Sequence, residues 1–143
     1  MKTNSSLRES IGKSVAGVRR VHYVYREEIQ QDVGGPLELT FTDGTTVVCD
    51  VGGDGETLAV ANRAWVDPFA EPLSAENRAY VESYGKWTAF EGSGLLDCAV
   101  GEQIVKVDEL SNTHGTIVAA RIHIAVLTIL VWVECDELYV QVY

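Results

Sequence analysis

The strongest constraint on this chain is the segment Leu37–Val60, LELTFTDGTTVVCDVGGDGETLAV. Leu37, Leu39 and Phe41 alternate with Glu38, Thr40 and Thr42, the period of a strand with one buried face. Asp43-Gly44 follows, a strong short-range turn signal, and then Val47, Cys49 and Val51 alternate with Thr46, Val48 and Asp50. Register selects the turn. A two-residue loop at Asp43-Gly44 would set Phe41 opposite Thr46 and leave Glu38 and Thr40 on the face of Cys49 and Val47. A three-residue loop over 42–44 sets Phe41 opposite Thr45, Leu39 opposite Val47 and Leu37 opposite Cys49, with all the apolar side chains together. A slip of one residue turns every side chain to the other face. The pattern therefore predicts the three-residue form with Gly44 left-handed in a bulge. Gly52-Gly53-Asp54-Gly55 makes the next turn and Glu56–Val60 a third strand.

Before this unit, Ser6-Leu7-Arg8-Glu9 has the spacing of a capping box. It predicts a short N-terminal helix with Leu7 and Ile11 on one face, ended by Gly12. Val15–Tyr25 reads as a strand with Val21, Tyr23 and Tyr25 on one face and Arg20, His22 and Arg26 on the other; Glu27–Gly35 reads as a polar loop. After it, residues 61–95 break the pattern. Trp65, Pro68, Phe69 and Pro72 form an aromatic, proline-rich connector, and Ser74 caps a helix over 74–84 closed by Gly85. Leu73, Tyr80, Tyr84 and Trp87 share its expected apolar face, and Gly92-Ser93-Gly94 is a flexible joint.

The opening then returns. Leu7-x3-Ile11-Gly12-x2-Val15-x2-Val18 matches Leu96-x3-Val100-Gly101-x2-Ile104-x2-Val107 at every marked position. The second copy continues as Thr116–Ile124, a tight turn at Ala125-Val126, Leu127–Glu134 and Leu138–Tyr143. The long apolar stretch Thr116–Val133 reads as a buried strand pair, its clean part too short to span a bilayer. The expected fold is α+β, mainly β. It is one domain over 1–143, a duplicated antiparallel β-meander with repeats at about 7–60 and 96–140, a short N-terminal helix and one helix inserted within 61–95.

Charge narrows the partner. Residues 1–65 carry 7 basic and 9 acidic side chains and residues 66–143 carry 4 and 12, within a net charge of -10. Nucleic acid and anionic membrane surfaces both demand a basic footprint and are not expected partners; a basic protein would be steered toward the chain. The N-terminus lacks the apolar core of a signal peptide, and three scattered cysteines, Cys49, Cys98 and Cys135, build no disulfide framework. The expectation is a cytoplasmic protein with reduced, buried structural thiols.

No segment carries a catalytic signature. Asp50–Gly55 fails the calcium-loop pattern because Gly52 stands at its third position and Ala61 at its twelfth. His22, His114 and His123 lack metal-ligand spacing, so no metal or cofactor is expected. The pairs Asp108-Glu109 and Asp136-Glu137 are each a poor acid–base dyad, since adjacent residues on a strand point to opposite faces, and both read as solvated turns. What stands out is the acidic set Glu91, Asp97, Glu102, Asp108, Glu109, Glu134, Asp136 and Glu137. A partner-binding surface is expected from Asp108, Glu109, Glu134, Asp136 and Glu137 together with Trp87 and Tyr139.

With the meander strand–Asp43-Gly44–strand–Gly52-Gly53-Asp54-Gly55–strand, this acidic set resembles that of small bacterial immunity proteins that neutralise secreted toxins. The resemblance implies a non-enzymatic inhibitor that occludes a cognate toxin, such as a basic nuclease, by charge complementarity. Two other readings fit the sequence. One is a self-associating structural domain that pairs Thr116–Val133 across a homodimer. The other is a small-ligand binder or enzyme with a pocket between the repeats, lined by Tyr23 and Tyr25.

Overall fold

A computed structural model describes residues 6–30, 34–92 and 94–143. Residues 31–33 of the expected polar loop, Ser93 of the expected joint and the first five residues of the polar N-terminus lie outside the described residues. Two antiparallel sheets pack face to face. The first contains β1 (Val15–Tyr25), β2 (Glu28–Gln30), β3 (Leu37–Phe41), β4 (Thr46–Val51), β5 (Leu58–Ala61) and β6 (Lys86–Glu91). The second is a meander of β7 (Ile104–Ser111), β8 (Ile117–Ile124), β9 (Leu127–Glu134) and β10 (Glu137–Val142). One helix, α1 (Ala75–Tyr84), sits between β5 and β6 in the chain.

The predicted hairpin register is the one observed. Leu37 faces Cys49 and Leu39 faces Val47, the Phe41 N–H reaches the Thr45 carbonyl at 2.9 Å, and Gly44 is left-handed at φ +88°. Asp43 and Asp54 fix their turns. Asp43 Oδ1 accepts the Thr45 N–H at 2.9 Å, and Asp54 Oδ1 accepts the Glu56 and Thr57 N–H groups at 2.9 and 2.8 Å. The apolar residues so aligned join those of the second sheet in one core, with Leu39, Cys49 and Leu58 set against Ile122, Ile129 and Leu138. In it β4 lies on β9 and β10, and β5 on β8.

The two matching segments meet. The Gly12 N–H donates to the Ile104 carbonyl and the Gly101 N–H to the Val15 carbonyl, both at 2.8 Å. Between them, Ile104 donates to Lys13 and Val15 donates to Glu102, both at 2.9 Å. Exchanging the two segments reproduces the same bonds. Gly12 and Gly101 take φ +92° and +90°, and each following strand carries a register shift at its start, between Val15 and Gly17 and between Ile104 and Lys106.

Several elements depart from expectation. Leu7–Ser10 is a single 3-10 turn. Ser6 Oγ caps the Arg8 N–H rather than that of Glu9, whose carboxylate turns instead to Asn62, so no capping box forms. Leu7 is buried, whereas Ile11, past the end of so short a turn, is 45% exposed. Helix α1 has the predicted caps, Ser74 Oγ on the Asn77 N–H at 3.1 Å and Gly85 at φ +81°, but it buries no residue. Tyr80 and Tyr84 are 49% and 62% exposed, and Trp87 lies beyond the C-cap, in β6. The strands β2 and β6 were not anticipated; both pair with the long strand β1.

The register shift at the start of β1 puts Val15 and Val18 on the inner face and Arg19, Val21 and Tyr23 on the outer one. The connector 62–73 crosses this outer face over Glu38, Arg19 and Lys86. Glu38, 3% exposed, accepts Arg19 Nε at 2.6 Å and Nη2 at 2.9 Å, and its Oε2 accepts the Trp65 N–H at 2.8 Å. Lys86 Nζ pins the connector again, on Asp67 Oδ2 at 2.6 Å. Val21 and Val48 on this face are buried. Burial alone would raise the Glu38 carboxyl. The Arg19 hydrogen bond, the Trp65 N–H and the Arg19 charge outweigh it, and the folded-state pKa lies below the ordinary value.

Two tests follow from these contacts. Alanine is strained at the φ of Gly12 and Gly101, so Gly12→Ala and Gly101→Ala should each lower stability by about 1–2 kcal/mol, and by closely similar amounts, in urea denaturation. Glu38→Gln should cost about 1–3 kcal/mol at neutral pH. The depressed carboxyl stabilises the fold fully above the unfolded-chain value of about 4.3 and loses that contribution as pH falls through the lower folded value. The gap between wild type and Glu38→Gln should therefore close below about pH 4; a gap that widened in acid would contradict the assignment.

Candidate functional site

The outer face of the second sheet is built by alternation. In β9 the residues Leu127, Ile129, Val131 and Val133 face the core and are buried, so Thr128, Leu130, Trp132 and Glu134 face outward, half-buried or exposed. Register places Lys106, His123 and Thr128 in one outward row, and Asp108, Arg121, Leu130 and Gln141 in the next. A third row holds Leu110, Ala119, Trp132 and Tyr139. The Trp132 and Tyr139 rings stack at 5.3 Å with an interplanar angle of 21°. None of the described connectors crosses this face.

Its polar groups are partly committed to each other. His123 Nε2 lies 2.8 Å from Asp108 Oδ2 and its Nδ1 3.3 Å from Thr128 Oγ1. The His123 hydrogen bond is the main reason the Asp108 carboxyl sits below its usual range. Glu137 Oε1 accepts the Gly34 N–H at 2.9 Å, and partial burial together with the Glu137 and Glu134 charges raises the Tyr139 phenol. Glu134 is exposed and without a partner among the described residues.

The expected site residues divide. Asp108, Glu134, Glu137 and Tyr139 gather on this face. Glu109 points off the opposite side of β7 and pairs with Arg8 at 3.2 Å. Asp136 sits left-handed in the β9–β10 turn at φ +67°, where its N–H bonds the Gly55 carbonyl at 3.2 Å. Trp87 belongs to the first sheet, edge-on to Tyr23 at 5.3 Å. The face adds Trp132, Arg121 and His123, which sequence reasoning had not placed in a site. The sequence signal for Trp132 is that both alternating sets of β9 contain large apolar residues; for Arg121 and His123 it is that they interrupt the apolar stretch two residues apart, on one face of a strand.

Other expectations are corrected. The stretch Thr116–Val133 is buried on one face only. Its strands β8 and β9 are each hydrogen-bonded along both edges, so edge pairing across a dimer is not open to them. Tyr23 and Tyr25 line a shallow cleft with Gln30 and Tyr84, outside the space between the sheets. Only Cys49 is a buried thiol, pushed up to about 12 by burial; Cys98 and Cys135 are exposed. A separate cleft of about 490 Å3 on the first sheet is lined by Asp50, Arg63 and Trp65, and burial raises the Asp50 carboxyl. At its edge the Thr57 hydroxyl donates to Asp54 Oδ2 at 2.6 Å, within the β4–β5 turn. No helix among the described residues is long and apolar enough to cross a membrane, and no three His, Cys, Asp or Glu side chains among them are grouped to hold a metal.

Two neighbours in β9 test which face is open. Ile129→Ala should cost about 2–4 kcal/mol through an unfilled core cavity, whereas Trp132→Ala should cost only about 1 kcal/mol, the scale of its ring stack. Chemical denaturation of both variants reads the difference, and equal losses would place Trp132 in a packed interior. Comparison with family models, characterised proteins and solved structures finds no match for this chain.

Proposed function

We propose that this protein is a cytoplasmic, non-enzymatic inhibitor of the immunity type, which docks a basic protein such as a toxin on the outer face of its second sheet. The observation that carries the reading is the uncovered face itself. It presents a stacked Trp–Tyr pair and an arginine, the side chains that dominate binding energy at protein interfaces, with Glu134 and Glu137 at one end. A face of four strands about eight residues long spans roughly 15 by 25 Å, enough for the centre of an ordinary interface. The chain's net charge of -10 favours encounter with a cationic partner.

Affinity capture from native lysate provides the test, run in parallel with wild type and a Trp132→Ala/Tyr139→Ala variant of matched circular dichroism. A basic protein should be retained by wild type and lost from the variant, a drop of about 30-fold or more in affinity. Glu134→Lys should weaken binding of the purified partner, and raising salt should weaken it further; Glu109→Lys, off the face, should leave it nearly unchanged. A partner that is acidic, or one indifferent to Trp132 and Tyr139, would remove the proposal.

A further inference from the structure

The open face has a covered counterpart in the same molecule. In the first sheet the outer row Arg19, Glu38, Val48, Ala61 crosses β1, β3, β4 and β5. In the second sheet the row Asp108, Arg121, Leu130, Gln141 crosses β7 to β10. The rows occupy equivalent positions, since Val18 opposite Leu39 corresponds to Val107 opposite Ile122. Each begins with an acid–base neighbour pair, in opposite order.

Their states differ. Arg19 grips Glu38 with two nitrogens at 2.6 and 2.9 Å, and the chain crossing above supplies the Trp65 N–H at 2.8 Å. In the second sheet the equivalent pair is parted. Asp108 turns to His123 at 2.8 Å and to Lys106 at 3.6 Å, and Arg121 makes no hydrogen bond or ion pair among the described residues. Beside this row the first sheet has Asp50 opposite Ala59, and the second has Trp132 opposite Tyr139. The first face thus has its Arg19–Glu38 pair closed under the crossing chain and small neighbours beside it; the second has an Arg121 guanidinium without a side-chain partner among the described residues and large aromatic neighbours.

Resting on the docking reading above, we infer that an irregular segment of the partner protein crosses the second sheet as residues 62–69 cross the first, and delivers a carboxylate to Arg121. Docking would strip water from a half-buried guanidinium, which must then be paired. A carboxylate matches its fork of donors with two parallel hydrogen bonds. Both edges of β8 are already occupied by β7 and β9, so side chains rather than added strand pairing make the central contact. The partner is basic overall and carries one acidic side chain at the centre of its docking segment, with its cations directed to the rim at Glu134.

The test needs no identified partner. A display library of random twelve-residue peptides is selected against wild type, Arg121→Ala, Arg121→Glu and Trp132→Ala/Tyr139→Ala, each checked for fold by circular dichroism. Peptides selected by wild type should share an Asp or Glu and bind Arg121→Ala about tenfold more weakly or worse, the scale of one charge-assisted hydrogen bond. Selection against Arg121→Glu should exchange that acid for Lys or Arg. Peptides that need Trp132 and Tyr139 but ignore Arg121 would overturn this inference and leave the docking reading standing. Peptides indifferent to the aromatic pair, or no enrichment at all, would overturn both.

Discussion

Four backbone hydrogen bonds between Gly12–Val15 and Gly101–Ile104 set the frame for everything else. They join the starts of β1 and β7, and each is made by a chain that has just turned through a left-handed glycine. Backbone polar groups in such a place must find partners, and here each segment finds them in the other. The seam sets the two sheets in one relative register. Their inner faces then close on a single core, and Leu7, Val15, Ala99 and Ile104 at the seam are buried to near completeness. Because the same bonds recur when the segments are exchanged, the two outer faces also stand in equivalent positions on opposite sides of the molecule.

Those outer faces are covered differently. The first is roofed by the connector, which is held by Glu38 and by Lys86–Asp67. The Glu38 carboxylate is buried with three charge-assisted or backbone donors, the condition under which a buried charge is tolerated. Helix α1 meets this connector where Tyr80 stacks on Phe69 with ring centroids 5.3 Å apart, and Tyr80 and Tyr84 stay 49% and 62% exposed. The second face has no roof. Asp108 pairs with His123 diagonally across β7 and β8 instead of with Arg121 directly opposite, as Arg19 does with Glu38, and this frees Arg121. At the neighbouring position the second sheet has His123 where the first has Thr40, and His123 takes the Asp108 carboxylate.

How much of this could be read from the residues depended on alternation. Where apolar and polar residues strictly alternate, as in Leu37–Phe41, one face is defined and a register argument yields the turn type, the bulge and the pairing. Helix caps at Ser74 and Gly85 were equally visible, because each is a local hydrogen-bonding requirement. Where alternation fails, the reasoning loses the face. Leu127–Val133 is apolar at nearly every position, and such a run is compatible with burial on both faces; only the tertiary arrangement shows that Leu130 and Trp132 point away from the core. Asp108 and Glu109 were separable by parity alone. Asp136 was not, since a two-residue turn with positive φ takes its side chain out of the strand pattern. Trp87 was misassigned because helical spacing was carried past Gly85, where the chain changes to a strand.

On the docking reading proposed above, the rim charge and the central arginine act over different distances, and this gives the open face two separable properties. Net charge makes itself felt out to about a Debye length, roughly 8 Å at physiological salt, and it does not depend on the orientation of the approaching surface. It governs how often a basic protein arrives. Arg121 acts only on contact, when Leu130 and the Trp132–Tyr139 stack exclude water around it and its hydrogen bonds strengthen in the lower dielectric. It governs which arrivals persist, because a partner that brings no acceptor must bury an unpaired guanidinium. On that reading, an acidic chain with Arg121 at the centre of this face would attract many cationic proteins and select among them.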